Sequence, residues 1–227
     1  VSREPFLLFR GVLLDYYMTM TTDPYEHLRS VVEGAGVALA VLVDAIIPGR
    51  DGRGDAWRVM ETGGRDPRDY WTDVADDVEE RTGVRLDAAE LGRRFTEVPL
   101  DPDVVQSARE LAGDGVSVGI VSNGYRWSGH HPGLDSLVDA GFIVVVSSDC
   151  GLRKPDSYIY EYALGLMGCS AAEVLYLDDN PDFVQGGRAA GLHSILVEDA
   201  SDTNDRLTRL ATDRAKPPAP RPTERAS

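Results

Sequence analysis

Four apolar runs, in one order along the chain, each lead into a polar residue able to do chemistry. They are Val12-Leu13-Leu14-Asp15-Tyr16-Tyr17-Met18-Thr19, Gly119-Ile120-Val121-Ser122-Asn123-Gly124, Leu152-Arg153-Lys154-Pro155-Asp156 and Val174-Leu175-Tyr176-Leu177-Asp178-Asp179-Asn180. In an open parallel sheet, ligands collect at the carboxyl ends of the strands. Four such ends in register describe a site holding a carboxylate, a hydroxyl, an ammonium and a carboxylate pair.

The spacing between these runs fits an α/β fold. A continuous strand is expected over residues 6 to 15, apolar enough at Val12-Leu13-Leu14 to be buried on both faces. Residues 25 to 97 read as a mostly helical insertion, broken by a Gly/Arg-rich stretch from Pro48 to Gly54 and by Asp66-Pro67 and Thr82-Gly83. From Asp101-Pro102 strands and helices alternate: helices over 103–113, 134–140, 157–167 and 181–190, strands over 116–121, 143–147, 174–177 and 194–197. Such alternation implies a Rossmann-like parallel sheet in a three-layer α/β core. The expected division is residues 1–23 and 101–200 as core, 24–100 as helical cap and 201–227 as a C-terminal extension. That extension would hold one helix over 204–211 and a disordered tail from Lys216.

Composition narrows the partners. Among 227 residues the formal net charge is −15, which argues against nucleic acid and against an anionic membrane. No run approaches the ~20 apolar residues of a membrane span. Cys150 and Cys169 form no CxxC pair or disulfide framework, which fits a reducing cytoplasm. Only Lys154 and Lys216 are lysines, an arginine-rich balance that suits a high-GC bacterial genome. Oligomeric state has no signature in the chain.

The order Asp-x-x-x-Thr, Ser-Asn, Lys-Pro-Asp and Asp-Asp resembles the haloacid dehalogenase superfamily, over roughly residues 6 to 198. The stretches Leu152 to Tyr160 and Asp178 to Gly191 look especially like its subfamily with a helical cap between the first two motifs. The resemblance implies chemistry through an aspartyl-enzyme intermediate, with Asp15 as nucleophile. Ser122 would hydrogen-bond the transferring group, and Lys154 would neutralise charge and hold Asp15 ionised. It puts Mg²⁺ on Asp15, Tyr17, Asp178 and Asp179, with Asp179 favoured. Thr19, Asn123, Arg53 and Arg58 are the expected substrate contacts, the arginines by bidentate bonds to a small anionic substrate. Arg50, Arg65, Trp57, Tyr70 and Trp71 lie near those arginines. His130-His131, in the loop after Ser122, reads as an exposed pair or as an acid/base pair.

Three positions depart from the family pattern. Phosphatases of the family carry a second Asp two residues after the nucleophile as general acid/base, and here that residue is Tyr17. The dehalogenases carry Tyr there, because a halide leaves without a proton. Met18 replaces a glycine that lets the backbone pass close to substrate, and Phe183 replaces a further Asp or Asn. Asp178-Asp179 in turn looks like the metal-binding phosphatase motif. The leading expectation is a Mg²⁺-dependent hydrolase of a small anionic metabolite, a phosphate ester. The alternatives are a metal-independent C–halogen hydrolase and a repurposed fold without hydrolysis.

Overall fold

β1 (Gly11–Leu14) is the centre of the molecule, and all four of its residues are buried. The computed structural model describes residues 9–46 and 54–215. Val12 and Leu14 enter one apolar cluster and Leu13 another, the period-two consequence of a strand covered on both faces. Five helices follow: α1 (Pro24–Gly34), α2 (Leu39–Ile46), α3 (Gly54–Glu61), α4 (Pro67–Thr82) and α5 (Ala88–Thr96). After them come α6 (Pro102–Gly113), β2 (Ser117–Ser122), α7 (Pro132–Asp139), β3 (Ile143–Val146) and α8 (Ser147–Cys150). The chain continues through α9 (Ser157–Met167), β4 (Val174–Asp178), α10 (Pro181–Ala189), β5 (His193–Leu196) and α11 (Ala200–Ala215). The sheet is wholly parallel in the order β3-β2-β1-β4-β5.

One sheet face packs α6, α7 and α11 through Val104, Leu111, Leu134, Leu207 and Leu210. The other packs α9 through Ile159, Tyr160, Ala163 and Met167, and α10 approaches so closely that Gly187 abuts Tyr176 and Ser194. The five helices after β1 build their own apolar cluster around Leu28, Leu42, Trp71, Val78, Leu91 and Phe95. Their starts are set locally. Asp23, Asp66 and Asp87 each accept a hydrogen bond from the first turn they precede, and Pro24 and Pro67 sit at helix starts, where a missing N–H costs nothing. The chain leaves and rejoins the sheet side by side, since Thr21 bridges Leu100 and the Asp101 N–H donates to the Met20 carbonyl at 2.8 Å.

Several bounds differ from those expected. Within the described residues β1 begins at Gly11, not earlier, although the Arg10 N–H still reaches the Glu173 carbonyl at 2.8 Å. β3 stops at Val146 because Ser147 turns inward: its Oγ accepts from the Gly124 N–H at 2.9 Å and donates to the Glu61 carbonyl. α11 runs over 200–215 rather than 204–211. Ala200, Thr203, Leu207 and Leu210 recur at helical spacing and are buried, and the Ser107 hydroxyl donates to Asn204 at 2.6 Å. The start of the C-terminal extension is therefore part of the core, while the tail from Lys216 lies outside the described residues. No helix among the described residues is long and apolar enough to cross a membrane.

Candidate active site

Asp15 immediately follows β1, Ser122 ends β2 and Asp178 ends β4. Because Leu14 pairs with both Ile120 and Leu177, the three polar residues emerge at one edge of the sheet. Lys154 joins them from the loop between α8 and α9, wholly buried. Its ammonium donates to Asp15 Oδ1 and to Asp178 Oδ2, the second at 2.7 Å. Asp178 has both oxygens engaged, since Oδ2 also accepts from the Tyr176 hydroxyl and Oδ1 from the Asn180 N–H at 2.8 Å. The Phe183 ring lies 4.7 Å from the Lys154 ammonium, within cation–π range.

Three carboxylates thus face one ammonium. Burial first, then the charges of Asp178 and Asp179, raise the Asp15 carboxyl against the pull of Lys154, to about 8. Burial also raises Asp179, with the charge of Asp178 adding to it. Burial opposes the charge on Lys154, but Asp15 and Asp178 outweigh it and hold the ammonium above its ordinary value. Asp15, Asp178 and Asp179 each offer an oxygen within 4.8 Å of the others. A compact acidic set with uncompensated charge fits a hard divalent cation, which takes oxygen ligands.

A cavity of about 390 Å³ opens beside Asp15 and is lined by Tyr17, Met18, Asn123, Arg153, Asp179 and Phe183, among others. Asn123 reaches it, yet its amide is bound to the lysine loop: Oδ1 accepts the Lys154 N–H at 2.8 Å and Nδ2 donates to the Lys154 carbonyl at 3.0 Å. Ser122 Oγ and Thr19 Oγ1 are each buried without a hydrogen-bond partner, and neither residue lines the cavity.

Tyr17 lines the cavity with its ring, while its hydroxyl donates to the Phe95 carbonyl and meets His131 Nε2, both at 3.3 Å. His131 Nδ1 accepts the Leu134 N–H at 3.4 Å, which assigns the proton to Nε2 and makes the imidazole the donor to Tyr17. The two histidines therefore part company: His131 is buried and caps α7, and His130 is 84% exposed at its side chain. Burial lowers the His131 ring to about 4 and lifts the Tyr17 phenol well above its ordinary value.

Arg58 is exposed on the outer face of α3 and does not line the cavity, because the same helix turns Trp57 and Glu61 toward it. Arg65 pairs with Asp73 at 2.7 Å instead. Tyr70 and Trp71 are core residues of the helical segment. Arg53 and Arg50 lie outside the described residues.

Two groups at the site were not anticipated. Arg153, beside Lys154, donates from Nε to the buried Glu61 carboxylate at 2.6 Å, and Tyr176 holds Asp178. The Tyr176 contact was legible, since residues two apart on a strand share a face. The Glu61 contact spans 92 positions and left no local signal.

Comparison with known proteins agrees with this geometry. The chain is 31% identical over 131 residues to a phosphatase of Mycobacterium tuberculosis, covering 56% of each. It is 26% identical over 172 residues to a sesquiterpene phosphatase of Aspergillus oryzae, covering 69% of this chain and 79% of that one. A phosphoserine phosphatase of Thermus thermophilus is 29% identical over 53% of this chain and 51% of its own length. The chain thus spans only about half the length of the first and third of these relatives. Among solved structures, an L-2-haloacid dehalogenase superposes with a TM-score of 0.63 at 22% identity, over 89% of this chain and 98% of that one. A phosphatase from Thermococcus onnurineus gives 0.55 at 20% identity, over 82% and 85%; both likenesses bear on the fold alone. A family model for haloacid dehalogenase-like hydrolases matches residues 58–191, more than half the chain and a stretch that contains Ser122, Lys154, Asp178 and Asp179. The parallel sheet, the lysine that ties its strand-end carboxylates together and this match agree, and the chain belongs to the haloacid dehalogenase-like hydrolases.

Proposed function

We propose that this hydrolase cleaves a phosphate monoester of a small molecule through Asp15, with Mg²⁺ as cofactor. The observation that carries the reading is the imbalance at the strand ends, where Asp15, Asp178 and Asp179 cluster around the Lys154 ammonium and the other cation lining the cavity among the described residues, Arg153, is held by Glu61. Asp15 and Asp179 would hold the ion, with Asp178 behind them fixed by Lys154, Tyr176 and Asn180. When bound, Mg²⁺ would neutralise negative charge on the carboxylates and phosphoryl oxygens.

The Asp15 carboxylate attacks phosphorus and the alcohol departs, dividing one difficult substitution into two. Lys154 orients that carboxylate and favours its ionised form against burial, and a bound Mg²⁺ would favour it further. Ser122 Oγ, buried and without a partner, supplies a hydrogen bond to a phosphoryl oxygen. Asn123 acts at one remove by fixing the Lys154 backbone. Water then attacks the phosphorus of the aspartyl phosphate, and cleavage of its bond to the Asp15 oxygen releases inorganic phosphate and regenerates the carboxylate.

Tyr17 is poorly suited to protonate the departing alcohol, because its hydroxyl already serves Phe95 and burial raises its pKa. Asp23 takes that role here. It lines the cavity and uses Oδ1 to cap α1 through the Tyr25 N–H at 2.7 Å, which leaves its other oxygen for a proton. Helices α1 to α5 serve as the cap that closes over the site.

A metal-free dehalogenase-like reading draws on Tyr17, since a halide leaves without a proton. The carboxylate of a haloacid would need a cation, however, and Arg153, the cation lining the cavity among the described residues, is bound to Glu61. Thermal melts with Mg²⁺, with beryllium fluoride and with both separate the readings. A stabilisation that needs both ligands and disappears in Asp15→Asn is expected, about 2.7 kcal/mol at a hundredfold excess over Kd. Halide release from haloacids that a chelator leaves untouched would replace this reading with the other.

A further inference from the structure

The cavity beside Asp15 combines two kinds of lining. Charged and amide residues, Asp15, Asp23, Glu61, Asn123, Arg153, Asp179 and Asn180, share it with Tyr17, Met18, Pro24, Tyr25, Trp57, Phe95 and Phe183. Phe95 is the hub, with the rings of Tyr17, Trp57 and Tyr25 centred 5.3, 5.7 and 6.0 Å from its own. At about 390 Å³ the space lies within the ~300–1,000 Å³ range of small-molecule sites.

The wall also constrains charge. Arg153 is the cation lining the cavity among the described residues, and the buried Glu61 carboxylate holds it, while Asp23 and Asp179 add negative charge. A second anionic group on a substrate would meet repulsion there. A sugar would bring hydroxyls to rings and to polar groups already engaged, since Asn123 serves the Lys154 backbone, Arg153 and Glu61 pair with each other and Asn180 caps α10. Each hydroxyl left without a hydrogen bond weakens binding.

Met18 adds a structural sign. Its φ of 59° lies in the left-handed region, where an L side chain is strained. Glycine would relieve that strain and remove the thioether from the wall. Backbone strain of this kind clusters at ligand sites, and here it is maintained where it places an apolar side chain against the cavity.

We propose that this wall receives the apolar, uncharged organic group of a phosphate monoester, an aryl or medium-length alkyl or prenyl ester, and discriminates against sugar phosphates and against substrates with a second anion. The inference rests on the phosphatase reading for the group at Asp15, but binding tests it apart from turnover. Octylphosphonate, methylphosphonate and 2-carboxyethylphosphonate are titrated against tryptophan fluorescence in the presence of Mg²⁺. In parallel, kcat/KM is measured for octyl phosphate, 1-naphthyl phosphate, glucose 6-phosphate and phosphoserine.

Each buried methylene is worth about fourfold in affinity, so octylphosphonate is expected to bind at least about a hundredfold more tightly than methylphosphonate. The carboxylate analogue is expected to bind no better than methylphosphonate. Met18→Gly is expected to narrow the octyl-to-methyl ratio about tenfold without lowering Tm. If octylphosphonate is preferred while no ester is turned over, the apolar site stands and the phosphatase reading falls. If glucose 6-phosphate or phosphoserine is hydrolysed as efficiently as the octyl and naphthyl esters, or the three phosphonates bind alike, the proposal is overturned.

Discussion

Asn123 and Lys154 exchange two hydrogen bonds: the lysine N–H donates to Oδ1 at 2.8 Å and Nδ2 donates back to the lysine carbonyl at 3.0 Å. The end of β2 and the lysine loop, 31 positions apart, are thereby locked together where Lys154 must reach Asp15 and Asp178. Both bonds go to backbone, so they fix where the lysine starts, and its two carboxylate partners fix where it ends. Asn123→Ala is expected to cost about 1–3 kcal/mol of stability, the range for buried polar groups left unpaired. Turnover should fall through kcat with KM little changed, because the displaced group is Lys154 and not a substrate contact. A rise in KM alone would mean that Asn123 binds substrate directly.

Asp23→Asn separates two roles of one side chain. Asparagine caps a helix about as well as aspartate, so α1 and the melting temperature should be unaffected. Loss of a general acid typically costs ~10²–10⁴ in rate, and kcat for alkyl esters should fall within that range. Aryl esters, whose phenolate leaves with less need of a proton, should be spared. Equal losses for both ester types, read from the dependence of kcat on leaving-group pKa, would remove Asp23 from the proton-transfer step.

The Arg153–Glu61 pair joins α3 to the lysine loop, and the Glu61 side chain is only 2% exposed. Burial raises its carboxyl while Arg153 opposes that rise. Arg153→Met leaves the carboxylate buried without its partner, a change expected to cost about 3 kcal/mol or more. Arg153→Met with Glu61→Leu should recover most of the loss in urea denaturation. A double variant as unstable as the single one would show that the charge pairing is not what stabilises this contact.

His131 gives the fold a pH dependence. Its ring titrates near 4, against an ordinary 6.5, because burial disfavours the charged form. The unfolded chain therefore binds more protons between pH 6.5 and 4, and stability falls as pH drops through that window. The shift corresponds to about 3 kcal/mol. His131→Asn, which can still cap α7, should flatten the stability curve over that interval by a similar amount. An unchanged acid limb would mean that other groups control it.

The sequence by itself determined the alternation of strands and helices and the residues at the strand ends. Those signals are local: Val12 to Leu14 is continuously apolar, Asp66-Pro67 and Asp101-Pro102 set helix starts, and Asp15, Ser122 and Asp178 stand at the ends of apolar runs. α9 was legible over Ser157–Met167, since the cap signal before it and Gly168 after it are chain neighbours. Three things required the tertiary structure. The partners of the Tyr17 hydroxyl were set by the packing of α5 and the His131 loop, far from Tyr17 in sequence. Arg58 and Glu61 lie one helical turn apart, and only the docking of α3 decided which of them faces the cavity. The pairing of Arg153 with Glu61 and the distinction between the buried His131 and the exposed His130 were likewise decided by packing. Backbone preference and periodicity act over a few residues, whereas burial, desolvation and charge pairing depend on which distant segments meet.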